Sequence, residues 1–213
     1  MKKKIIITGG LGYIGTELCK LYSGVSWHHQ IIVIDNRFIS ERVNQIRNWN
    51  MLFVQADILN KEIVKRYFQD ADVVHHLAGV TMVPRTKSEA SVDQDKKIME
   101  VAEQGTQNIL DSIKNECKII FPSTHVVYEG INEVRTNIEE NEVTKPVLSY
   151  SSSKAINESQ LKKSGKNYVI LRLGSVYGYS TDSMRIDIMP NLFSKISSQD
   201  GILKLFSGGK QIK

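Results

Sequence analysis

Apolar residues along the chain follow two alternating rhythms. Short runs rich in β-branched residues predict six strands: KIIIT (4–8), QIIVID (30–35), MLFVQAD (51–57), ADVVHHLAG (71–79), CKIIFPST (117–124) and NYVILRLG (167–174). The runs are continuous rather than alternating, the pattern of strands covered by helices on both faces. Between them, helical spacing predicts helices near 13–23, 60–69, 92–115, 148–164 and 187–198. In the longest, Ile98, Val101, Ala102, Ile109, Leu110 and Ile113 share one stripe. Strands alternating with helices predict an α/β fold built on a parallel sheet. Residues 126–147, polar and acidic around NIEENE, read as a long loop, and loops of that length often carry function. After Gly178 the rhythm breaks down: YSTDSMRID (179–187) reads as loop before the last helix.

Composition narrows the picture only at the margins. A chain of 213 residues with 41% hydrophobic and 24% charged residues has the balance of a folded domain and excludes wholesale disorder. The net charge of +5 raises nucleic acid as a partner, but the lysines are scattered, with only KKK at 2–4 clustered. A solvated basic surface accounts for them, and no nucleic-acid partner is expected. Cys19 and Cys117 lack metal-ligand spacing and fall in apolar segments, so they read as buried thiols of a cytosolic protein. The apolar run in MKKKIIITGG is too short for a signal peptide, and no stretch approaches the ~18 apolar residues of a membrane span. The expected location is cytoplasmic, with no membrane association.

The first chemistry-bearing stretch is TGGLGYIG (8–15), directly after the first strand and opening a helix. Gly9, Gly12 and Gly15 supply a tight turn, close backbone approach to a pyrophosphate, and close packing of helix on strand. The helix N-terminus offers N–H groups and a favourable dipole to the phosphates. A lone glycine triplet is weak evidence, since turns use glycine for ordinary reasons. Here Asp35 closes the second strand twenty residues after Gly15, where a carboxylate takes the ribose hydroxyls of a dinucleotide and repels a 2′-phosphate. NAD is therefore favoured over NADP, while Arg37, two residues on, works against that preference.

The second stretch is LSYSSSKAIN (148–157). Its serines could form a flexible spacer. The same letters set Tyr150 and Lys154 four apart, on one face of a helix. An isolated Y-x-x-x-K would be a packing aromatic and a solvated lysine, so the surrounding motifs decide its meaning.

Those motifs are TGGLGYIG, VIDN (33–36), ADI (56–58), HHLAG (75–79), GTQNIL (105–110), PSTHVVYEG (122–130), YSSSK (150–154) and LRLGSVYG (171–178). In this order they resemble the extended short-chain dehydrogenase/reductase family, also called the NAD-dependent epimerase/dehydratase family, most strongly over residues 4–178. The resemblance implies a doubly wound, Rossmann-like parallel sheet and NAD as cofactor. It assigns Gly9, Gly12, Tyr13, Ile14, Gly15, Asp35 and Asn36 to the cofactor, with Asp57 and Ile58 at the adenine. Leu77, Ala78 and Gly79 match the strand end beneath the cofactor, and Thr81 a further contact. Thr124 matches the catalytic Ser/Thr, Tyr150 the acid/base, and Lys154 the lysine that favours the phenolate and holds the nicotinamide ribose. His125 and Ser175 join Thr124 as substrate-facing candidates.

Departures from the family pattern refine this. Members that dehydrate sugars carry an Asp-Glu pair after the catalytic Thr; here His125 and Val126 follow, so water elimination and decarboxylation are disfavoured. Ala102 and Ser175 stand where the family usually has asparagines. Residues 1–178 then read as the NAD-binding domain carrying Tyr150 and Lys154, and 179–213 as the start of a truncated substrate-binding region. The leading expectation is an NAD-dependent sugar-nucleotide epimerase, or its cofactor-binding portion, acting on a nucleotide-sugar. A keto-sugar reductase and a non-catalytic dinucleotide-sensing module are the alternatives. The helices at 92–115 and 148–164 imply, by resemblance, a homodimer.

Overall fold

The computed structural model describes residues 2–81, 91–180 and 183–209. Six parallel strands form one sheet: β1 (Lys4–Thr8), β2 (Gln30–Asp35), β3 (Leu52–Gln55), β4 (Val73–His76), β5 (Lys118–Thr124) and β6 (Asn167–Leu173). Their order, β3-β2-β1-β4-β5-β6, reverses direction at β1, as in a doubly wound dinucleotide fold. The helices are α1 (Tyr13–Ser23), α2 (Ser40–Asn48), α3 (Lys61–Phe68), α4 (Val92–Glu100), α5 (Thr106–Ser112), α6 (Ser149–Lys163) and α7 (Met189–Ser198). Of the segment 179–213, residues 181–182 and 210–213 lie outside the described residues.

Successive strand residues point to opposite faces, and both faces are apolar here. Ile5, Ile7, Ile31 and Val33 pack with Leu11 and Cys19 near α1 and with Val43 and Ile46 of α2. Ile6, Ile32, Val74, Ile119 and Phe121 pack on the other face with Val64, Phe68, Ile109, Leu110 and Leu161 of α3, α5 and α6. That double covering is why the inner strands β1, β2 and β4 read as continuous apolar runs. Both cysteines are free and buried, and burial pushes their thiols up to about 12 for Cys19 and about 11 for Cys117. Among the described residues no helix is long and apolar enough to cross a membrane.

Two elements differ from the sequence-based expectation. Helix α2 was not predicted, because only Val43 and Ile46 among its nine residues are buried. The expected helix at 92–115 is three pieces: α4, a π-helical turn at Val101–Gly105, and α5. Gly105 lies against Ile58, where an added Cβ would sit 2.4 Å from Cδ1. The widened turn also leaves the Ala102 and Glu103 carbonyls accepting from Asn157 Nδ2 (2.8 Å) and Gln160 Nε2 (2.9 Å) of α6. The long loop at 126–147 is present, opening with a 3-10 turn at His125–Tyr128.

Candidate active site

The glycine turn forms because side chains are excluded from it. Gly9 has φ +65°, and a Cβ there would lie 2.8 Å from the Ala78 nitrogen at the end of β4. A Cβ on Gly15 would lie 2.3 Å from the Gly9 carbonyl oxygen. Gly12 is the N-cap of α1 and provides no side-chain cap, so the first-turn N–H groups face outward over a glycine cradle. That arrangement fits a pyrophosphate. Tyr13 and Ile14 open the helix; the Tyr13 hydroxyl donates to the Gly178 carbonyl (2.5 Å) and accepts from Asn191 Nδ2 (3.3 Å), while Ile14 is exposed.

Asp35 is buried at the end of β2, and both its oxygens are engaged. Oδ1 accepts from the Arg37 backbone N–H (3.0 Å) and Nε (3.1 Å), and Oδ2 from the Leu11 N–H (3.0 Å) and Arg37 Nη2 (3.4 Å). Asn36 beside it donates to Asp57 Oδ2 (3.2 Å), whose Oδ1 accepts from the Leu59 N–H (2.9 Å). Ile58 is buried, and its carbonyl accepts from buried Asn108 (3.0 Å). The residues assigned to the adenosine end thus converge on the tips of β2 and β3.

Leu77, Ala78 and Gly79 follow β4 at the same edge of the sheet, beside Gly9. Thr81 is exposed at the border of 82–90. Beneath Ala78 runs a buried polar chain that the motifs did not assign. The Ala78 N–H donates to Thr8 Oγ1 (3.0 Å), which pairs with His76 Nδ1 (3.1 Å); His76 Nε2 pairs with Thr106 Oγ1 (2.9 Å), which accepts from Asn157 Nδ2 (3.0 Å). Burial, aided by the charge of Lys154, lowers the His76 imidazole to about 3, so it is neutral and serves as a fixed bridge from the glycine turn to α6.

Thr124 ends β5 and caps the next turn. Its Oγ1 accepts from the Val126 N–H (3.3 Å), which leaves the hydroxyl hydrogen to donate elsewhere. His125 Nδ1 pairs with the Leu173 carbonyl (3.1 Å); because a carbonyl only accepts, Nδ1 carries the hydrogen. Ser175 is exposed two residues beyond β6.

The serine-rich stretch is helix, not spacer. Ser151 Oγ accepts from the Leu148 N–H (3.2 Å) and Glu129 Oε1 accepts from the N–H groups of Val147 (2.8 Å) and Leu148 (2.7 Å), fixing the start of α6. Ser153 turns back onto the Tyr150 carbonyl (2.7 Å). One turn in, Lys154 is buried: Nζ donates to the Pro122 carbonyl (2.9 Å) and lies 4.6 Å from the Phe121 ring centroid and 5.9 Å from that of Tyr150. Burial lowers the ammonium to about 8. The half-buried Tyr150 phenol is raised by burial, with the Arg185 guanidinium opposing that shift. The expectation that Lys154 would depress the phenol is therefore corrected for the chain's own groups: burial dominates, and Arg185, not Lys154, is the cation that pulls against it.

Two turns past Tyr150, Glu158 locks α6 to the sheet. It accepts from Ser123 Oγ (2.6 Å) and from Arg172 Nε (2.9 Å) and Nη2 (2.6 Å). Burial alone would raise this carboxyl, but the Arg172 and Ser123 hydrogen bonds outweigh it and hold it low. Arg172 also reaches the Tyr128 hydroxyl and the Glu140 carbonyl (2.8 Å), tying the acidic loop to the same hub. Sequence reading missed this hub. Its only trace is an acid eight residues after Tyr150 and an arginine in LRLG, paired across separate elements.

Similarity to known proteins follows the same lines. The chain is 29% identical to dTDP-D-glucose 4,6-dehydratase of Dictyostelium discoideum over 83% of its length, and 28% identical to UDP-N-acetyl-alpha-D-glucosaminuronate decarboxylase of Bacillus cytotoxicus over 100%. Its structure superposes on UDP-glucuronic acid 4-epimerase of Bacillus cereus, a complex with UDP-glucuronic acid and NAD, with a TM-score of 0.76, 27% identity and 98% of this chain covered. The chain spans 44% of the dehydratase and 67% of each of the other two. The model of the NAD dependent epimerase/dehydratase family matches residues 5–213, from the first strand through the glycine cradle and the Tyr150–Lys154 helix, and the chain belongs to that family.

Proposed function

We infer that the chain is the cofactor-binding and proton-transferring part of an NAD-dependent nucleotide-sugar epimerase. The observation that carries this reading is Lys154, buried beneath the Tyr150 ring and held on the Pro122 carbonyl, two residues before Thr124. NAD, when bound, supplies the hydride acceptor and donor. Gly9, Gly12 and Gly15 admit its pyrophosphate, Asp35 takes a ribose, and Asn36, Asp57 and Ile58 border the adenine. Thr124 donates its hydroxyl hydrogen to the reacting sugar oxygen. Tyr150 takes the hydroxyl proton as hydride leaves the same carbon, and returns it when hydride comes back to the opposite face. Lys154 holds the nicotinamide ribose, and Arg185 supplies positive charge that favours the phenolate at that moment.

The nucleotide-sugars in the names of the three relatives support a nucleotide-sugar substrate. His125 on the Leu173 carbonyl and Val126, whose N–H donates to Thr124, offer no carboxylic acid beside Thr124, which favours a hydride cycle over water elimination or decarboxylation. Residues 1–178 serve as the nucleotide-binding unit and 179–213 lead into substrate contacts. We place the protein in the cytoplasm, on its buried free thiols, and as a homodimer through α4 to α6. The test is incubation with NAD and UDP-glucose, UDP-glucuronic acid or UDP-N-acetylglucosamine, followed by nuclear magnetic resonance. The expected result is the 4-epimer of one of them, with no net NADH and none formed by Tyr150→Phe. Net consumption of NADH with a 4-keto-sugar would instead identify a reductase.

A further inference from the structure

The Asp35 carboxylate is held by its own neighbour. Arg37 lays Nε and Nη2 along the two oxygens (3.1 and 3.4 Å), a side-by-side fork, while its side chain remains 55% exposed. Two of the four hydrogen bonds at Asp35 come from backbone N–H groups of Leu11 and Arg37, which belong to the fold. The other two come from the guanidinium, which a ligand can exchange. The fork also hangs over the glycine turn, since a Cβ on Gly12 would sit 4.0 Å from Arg37 Nη2. A second guanidinium, Arg42, donates to the Leu11 carbonyl on the same turn. Around this turn Arg37 pairs with Asp35, and Arg42 with the Leu11 carbonyl.

An unpaired acid at the end of the second strand selects a ribose diol by accepting from it, and rejects a 2′-phosphate by charge. Here the rejecting charge is neutralised at source. We propose that Arg37 makes the adenosine-ribose subsite tolerant of a 2′-phosphate, so that the chain binds NADP as well as NAD. The inference rests on the dinucleotide reading of the cradle. A ribose diol displaces the Arg37 fork from Asp35 and takes its two acceptor positions. A 2′-phosphate leaves the guanidinium to pair with the phosphate instead. Arg37 thereby costs some NAD affinity, because its pairing with Asp35 must be broken first, and supplies the NADP affinity.

Calorimetric titration of NAD and NADP into the wild-type chain, Arg37→Ala and Arg37→Gln tests this. Arg37 is largely exposed, so both variants fold, and far-ultraviolet circular dichroism verifies it. The wild type is expected to bind the two dinucleotides within about tenfold of each other. Both variants should lose NADP affinity by about tenfold or more, the scale of a lost charge-assisted phosphate contact, while NAD binding is unchanged or tightened. A wild type that binds NAD but rejects NADP, or variants with an unaltered ratio, would overturn the proposal and leave the NAD reading standing. A wild type that binds neither would overturn both.

Discussion

Lys154 lies beneath the Tyr150 ring, yet its ammonium donates to the Pro122 carbonyl at 2.9 Å. The lysine is thus anchored to β5 independently of the tyrosine. Its position does not depend on the phenol's protonation, and it brings a positive charge into a layer that burial makes expensive. Burial, the cause that holds this ammonium near 8, also sets a pH dependence. Between about 8 and the ordinary lysine value of 10.5 the unfolded chain holds a proton that the folded chain has released. Stability from this group therefore rises across that interval, by at most about 1.4 kcal/mol per pH unit. Chemical denaturation of wild type and Lys154→Met from pH 7 to 10.5 isolates the effect, because the buried thiols titrate in both. The wild type should gain relative to the variant above pH 8; a constant difference would show that Lys154 is not desolvated.

Glu158 and Arg172 should behave as a buried pair. Their side chains are 3% and 13% exposed and joined by two hydrogen bonds, so removing one partner strands the other's charge. Glu158→Ala is expected to cost about 3–5 kcal/mol in urea unfolding. Glu158→Leu combined with Arg172→Met should recover a good part of that loss, which a purely steric role for Glu158 would not allow.

Glycines at the cradle should differ sharply from those beside it. Gly9→Ala meets both a positive φ and the Ala78 backbone, so it should destabilise by about 1–3 kcal/mol and weaken dinucleotide binding. Gly79, seventy residues away in sequence but at the same strand edge, has nothing among the described residues within 4 Å of an added Cβ. Gly79→Ala should unfold within about 0.5 kcal/mol of wild type. Equal thermal shifts for the two variants would contradict the cradle geometry.

What the sequence revealed depended on whether the information was local. Strands β1 and β2 and helix α1 could be read almost to the residue, because two-sided burial writes a continuous apolar run and an amphipathic helix writes a 3.6-residue stripe; β6, an edge strand with no fully buried residue, was read from its apolar run alone. Gly9, Asp35, Thr124, Tyr150 and Lys154 were legible because each sits in a short motif at a strand end or helix start. Helix α2 was not, since SERVNQIRN buries only Val43 and Ile46. The π-turn at Val101–Gly105 was hidden too: it answers to Ile58, over forty residues earlier, and to Asn157 on α6. The His76 bridge and the Glu158–Arg172 hub depend on pairings that only the fold creates.

In the proposed function the glycine cradle binds NAD while Tyr150 serves proton transfer and not binding. Titration of NAD into wild type and Tyr150→Phe, read as the rise in unfolding temperature with ligand concentration, tests it most directly. A concentration-dependent rise of the same size is expected in both proteins. No rise in the wild type, or a rise lost in Tyr150→Phe, would contradict it.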